Sequence, residues 1–67
     1  MIKVGQVYTN YGKKYVVTNF EKKVHLINKD GKGQARSIDA IHPMTLIATY
    51  PTWQEAVNSK EFNDEHK

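Results

Sequence analysis

Turn signals recur at Asn10-Tyr11-Gly12 and at Lys29-Asp30-Gly31-Lys32-Gly33, and around them the chain offers only short runs of β-branched and aromatic residues. No helical spacing of apolar residues persists through residues 5–50, so that section reads as strands. Residues 6–10 and 14–20 form a first hairpin with Asn10-Tyr11-Gly12 at its turn. Residues 23–28 make a third strand, with Val24 and Leu26 pointing one way and His25 and Ile27 the other. Asp30-Gly31 is the strongest short hairpin signal and leads into a fourth strand at residues 34–38. Pro43 removes a ladder donor, which predicts a tight or 3₁₀ turn over residues 39–44 before a fifth strand at residues 45–50.

Beyond Pro51 the pattern changes. Thr52 followed by Glu55 is a capping box, so a helix is expected from Thr52 or Trp53. Trp53, Ala56, Val57 and Lys60 share one side of that helix. Phe62 falls almost opposite Trp53, so it is expected either past the regular helix or exposed. The polar residues 63–67 are expected to fray as a flexible tail. The chain thus divides into a β section at residues 1–50, a helix at residues 51–62 and that tail, and 67 residues leave room for one domain.

Alternation assigns Val7, Tyr15, Val17, Val24, Leu26, Ile38 and Leu46 to one interior face. Tyr8, Val16, Phe20 and Ile27 fall on the other, which must also be covered, by the C-terminal helix or by a partner. The expected fold is mainly β: a single small five-stranded barrel with a short C-terminal α-helix packed on it.

The chain has no cysteine, which removes disulfides and thiolate zinc sites and fits a reducing, cytoplasmic setting. No apolar run approaches the ~20 residues that span a bilayer, and no signal-peptide core is present, so a soluble protein without membrane contact is expected. Charge is uneven. Residues 1–50 hold eight basic against three acidic side chains, a net of +5, and residues 51–67 hold two against four, a net of −2. A basic front section suits a polyanion or an acidic protein surface, and lysines at exposed strand ends also serve solubility.

The opening Gly5-x-Val7-Tyr8-x-x-x-Gly12-x-x-Tyr15-x-Val17, followed by a meander with an Asp-Gly turn and a late proline, resembles the small SH3-like barrels of short phage, prophage and Firmicutes proteins. The resemblance covers residues 4–50. It implies a non-catalytic binding role, on nucleic acid, on ribosomal or polymerase components or on peptides, with many phage examples acting on host proteins. A proline-peptide groove is not implied: Tyr8 and Tyr11 could supply rings, but the acidic loop such a groove needs has no match here.

The side chains point away from chemistry. His25, His42 and His66 show no metal-ligand spacing, so no metal or other cofactor is expected. Gly31-Lys32-Gly33-Gln34-Ala35-Arg36 lacks the ending and the strand-to-helix setting of a phosphate loop. The seven carboxylates are scattered and suggest no acid–base pair, and a barrel this small has little room for a ~300 Å³ ligand pocket, so neither an enzyme nor a small-molecule substrate is expected. The candidate binding residues are Lys13, Lys14, Lys22, Lys23, Lys29, Lys32 and Arg36, interleaved with Tyr11 and Phe20. They fit an adaptor whose basic loops steer it to an acidic surface of a host protein complex, such as transcription or other nucleic-acid-processing machinery. The alternative is direct, sequence-tolerant nucleic-acid binding, with lysines on phosphates and a ring on a base.

Overall fold

The computed structural model describes residues 1–63. Five strands, β1 Gln6–Asn10, β2 Lys13–Phe20, β3 Val24–Asn28, β4 Gly33–Arg36 and β5 Thr45–Thr49, form one antiparallel sheet in the order β4-β3-β2-β1-β5. Between β4 and β5 lies a one-turn helix, α1 Ile38–Ile41, and the chain continues through α2 Trp53–Val57 and α3 Lys60–Asn63. β4 and β5 are the two edges and share no ladder, so the expected closed barrel is not what the pairing gives. No described helix is long and apolar enough to cross a membrane.

The first hairpin corrects the expected faces. Its turn has two residues, Tyr11 and Gly12, both at positive φ (53° and 77°), as a twisted hairpin turn of this length requires. Asn10 therefore pairs with Lys13, Val7 with Val16 and Tyr8 with Tyr15. A three-residue turn would have put Val7 opposite Tyr15, and that one-residue slip exchanges the faces. Val7 in fact lies with Val16, and Tyr8 with Val17.

Two bulges do the rest. Val17 pairs with Leu26 but Asn19 with His25, which leaves Thr18 as an extra residue in β2. The phase of β2 reverses there, so Phe20 joins Tyr8, Val17, Val24, Leu26 and Ile41 rather than Val16 and Ile27. In β5, Tyr8 pairs with Leu46 and Val7 with Ala48, with Ile47 as the extra residue.

Two expected core residues lie outside it. β4 ends at Arg36, and Ser37 leads into α1, so Ile38 sits at a helix start and is 42 % exposed, with Ile41 buried in its place. Leu46, on an edge strand, is 46 % exposed. The turn before Pro43 is where the proline predicts it, but it opens at Ile38 rather than at Asp39.

The second face is covered by the C-terminal section. Val7 and Val16 pack with Ala56 and Phe62, and Ile27, Ala48, Tyr50, Trp53 and Val57 surround them. The capping box is half formed: Thr52 Oγ1 accepts from the Glu55 amide at 3.2 Å. The helix breaks at Asn58 and Ser59, where the Ser59 hydroxyl donates to the Ala56 carbonyl (2.6 Å) and accepts from the Phe62 amide (3.2 Å). This break resets the helical phase, so Phe62 lies past the first regular helix, as one reading had it, but is only 3 % exposed. Lys60, expected on the apolar stripe, is exposed. Asn63 belongs to α3 rather than to a tail, its side-chain amide donating to the carbonyls of Val57 and Ser59 at 2.8 Å. The rest of the expected tail, residues 64–67, lies outside the described residues.

Gly5 ties the two ends of the β section. Its amide donates to the Val17 carbonyl (2.9 Å), its carbonyl accepts from the Tyr50 amide (3.0 Å), and its φ is 95°. A Cβ at this point would run into the Tyr50 carbonyl oxygen.

Candidate functional site

Antiparallel order gathers the β1–β2 turn and the β3–β4 loop at one end of the sheet, and the β2–β3 turn at the other. The predicted binding residues are split accordingly. Tyr11, Lys13, Lys14, Lys29 and Lys32 belong to the hairpin-tip end, with Arg36 further along β4, whereas Phe20, Lys22 and Lys23 belong to the opposite end.

At the tips, Lys13, Lys14, Tyr15, Lys29, Asp30 and Arg36 line a hollow of about 420 Å³. Asn28 shapes the second tip, because its side-chain oxygen accepts from the amides of Asp30 (2.9 Å) and Lys32 (3.0 Å). Arg36 is oriented by Gln34, whose Oε1 accepts from its Nε at 2.8 Å. A second hollow of about 250 Å³ shares Tyr15, Gln34 and Arg36 with the first and continues to Met44. Tyr11 stands beside this end, 95 % exposed.

Two of the candidate lysines also have a structural task. Lys14 Nζ donates to the Glu61 carbonyl (2.6 Å) and Lys29 Nζ to the Asn63 carbonyl (3.0 Å). Both satisfy carbonyls at the end of α3, which a helix terminus leaves without intrahelical partners. They hold α3 against the sheet while their side chains line the hollow.

An apolar hollow lies on the face of the sheet that carries Tyr8, Val17, Val24 and Leu26. Tyr8, Phe20, Ile41 and Met44 wall a pocket of about 340 Å³, and Met1, Ile38 and Leu46 stand at its rim. Gln6 positions the N-terminal part of this wall. Its buried side chain donates from Nε2 to the Met1 carbonyl (3.1 Å), and its Oε1 accepts from the Lys3 amide (2.8 Å) and the Tyr8 hydroxyl (2.9 Å). Burial pushes the Tyr8 phenol above its ordinary pKa and keeps it a donor.

The sequence expectation of too little room for a ligand-sized hollow is therefore wrong: the fold leaves space between hairpin tips and beside α1. Of the apolar pocket only Phe20 was among the candidates. Its other residues come from the N-terminus, β1, α1, the turn after α1 and β5, and the signal in the sequence is an excess of apolar side chains, Ile38, Ile41, Met44 and Leu46, around a proline turn. The chain matches no family model, no curated protein and no solved structure.

Proposed function

We propose that this chain is a non-enzymatic binding module that docks on a larger protein assembly through the apolar pocket that Phe20 helps to wall and modulates it. What carries the reading is that Met1, Ile38 and Leu46 stay in water around a pocket walled by Tyr8, Phe20, Ile41 and Met44. Burying such a side chain is worth ~1.5 to 3 kcal/mol, a term a domain this small would use internally unless the surface has another occupant. The pocket opens along its rim, which suits the anchor side chains of a protein partner. Lys22 and Lys23 add positive charge in the turn that follows Phe20, so the complementary surface is acidic.

The strand order, the bulge in β2 and the one-turn helix before β5 support reading the sheet as an SH3-like coil. On that reading the partner is of the kind that the resemblance implies, a host protein complex met by a phage or prophage accessory protein in the bacterial cytoplasm. The test uses the full chain as bait in host lysate, beside Leu46→Glu and the pair Lys22→Glu/Lys23→Glu. The expected result is a defined partner, identified by mass spectrometry, that binds the purified wild-type chain and is lost with Leu46→Glu. A captured set unchanged by both variants would overturn the reading.

A further inference from the structure

The hairpin tips carry a chemistry of their own, basic and aromatic where the docking pocket is apolar. We propose that they bind single-stranded nucleic acid, with Tyr11 stacking on a base and Lys13, Lys32 and Arg36 neutralising the adjoining phosphates.

Tyr11 is the first observation. It occupies a turn position at φ 53°, a conformation that asparagine and glycine adopt readily and a tyrosine does not. Its ring is 95 % exposed, so the fold gains no packing in return. An aromatic held against its backbone preference and set in water presents a face to something outside the molecule. The second observation is the hollow alongside, lined among the described residues by Lys13, Lys14, Lys29 and Arg36 with one carboxylate, Asp30. Lys14 and Lys29 donate to carbonyls of α3, and Lys14 also acts electrostatically on the Glu61 carboxylate, so the charge offered to a ligand is that of Lys13, Lys32 and Arg36. Lys13, Lys32 and Arg36 are exposed.

Charge alone would also suit an acidic peptide. The exposed ring decides between them, because a peptide anchors by filling an apolar pocket, whereas a base needs only a flat π-face beside a cationic track. Every base has such a face, and one arginine among the cations gives little edge reading, so recognition is sequence-tolerant.

The test titrates the full-length protein with labelled ~12-nucleotide oligo-dT and oligo-U, a duplex of similar length and a poly-glutamate peptide, at ~50 and ~200 mM salt, where the phosphate contribution changes most. Single strands should bind in preference to the duplex and the peptide. The log–log salt slope should be near −2, about 0.7 for each of three phosphates. Tyr11→Asn suits the turn better, so it should raise the melting temperature while weakening single-strand binding by about fivefold or more. Lys13→Glu should lower both affinity and slope. The proposal is overturned by an absence of single-strand binding at the lower salt, by Tyr11→Asn binding as wild type, or by poly-glutamate binding as tightly as the oligonucleotides.

Discussion

The two faces of the sheet are closed in different ways. Over Val7 and Val16 the cover comes from α2 and α3, whose Ala56 and Phe62 are buried against them. Over Val17, Val24 and Leu26 the cover is Ile41 with the flanking Ile2, Tyr15, Phe20 and Met44, drawn from several parts of the chain. Both covers seal their central residues, but the second stops short at its edge and leaves the apolar pocket with Met1, Ile38 and Leu46 at its rim. The helical section α2–α3 lies on one face of the sheet, and the other is finished by α1 and flanking loops. The unfinished face is where a partner adds burial without displacing the fold's own core.

If that contrast is right, damage to the helical cover should be far costlier than damage to the rim of the apolar pocket. The largest effect is expected from ending the chain at Tyr50, which removes Trp53, Ala56, Val57 and Phe62 together from the second cluster. A core of this size supplies about 3 to 5 kcal/mol in all, so the shortened chain should show no cooperative melting transition by circular dichroism. A melting temperature equal to that of the full chain would show that α2 and α3 are not part of the core. Next comes the pair Phe62→Ala and Leu46→Ala. The first removes a buried ring, a loss of about 3 to 5 kcal/mol. The second truncates a side chain that is 46 % exposed and should stay within about 0.5 kcal/mol of wild type. Circular dichroism without denaturant reads the first, which should be largely unfolded, and urea titration the second; two variants that both stay as stable as wild type would abolish the distinction between the helical cover and the pocket rim.

Much of this was legible in the sequence because it is local chemistry. The strands lie where β-branched residues and turn signals place them, and Thr52 with Glu55 marks the helix start to within a residue. Which face each residue occupies depended on one backbone choice at Tyr11-Gly12. Tyrosine at positive φ is not what turn preferences suggest, so a three-residue turn looked as good. The extra residues Thr18 and Ile47 carry no marker in their side chains, and bulges that reverse phase midway along a strand defeat any reading by alternation. Phe62 was obscured likewise, by a break at Asn58-Ser59 that a continuous helical wheel ignores. Of the candidate site, the charges were visible and their grouping was not. Lys22 and Lys23 differ from Lys29 and Lys32 only in which end of the sheet their turn occupies.

The smallest effect tests how the covered face is fastened at its edge. The Tyr50 hydroxyl donates to Glu61 Oε1, linking the end of the β section to α3. That hydrogen bond, first among its causes, holds the Glu61 carboxyl below its ordinary pKa, and the same bond to Glu61 pushes the Tyr50 phenol above its own. For Glu61 the folded value is depressed, so its contribution is present above the unfolded value of about 4.5 and is lost as pH falls through the folded one. For Tyr50 the folded value is raised, so its contribution holds below about 10 and is lost as pH rises through the folded one. Both groups face solvent, which keeps the effect small. Tyr50→Phe keeps the ring packing and removes the bond, so its melting temperature should fall slightly below wild type near neutral pH and converge with it as pH falls below about 4.5 and through the lower folded value of Glu61. A gap that stays constant across that range would assign the role of Tyr50 to its ring, and the edge of the covered face would then be held by Lys14 and Lys29 on the α3 carbonyls.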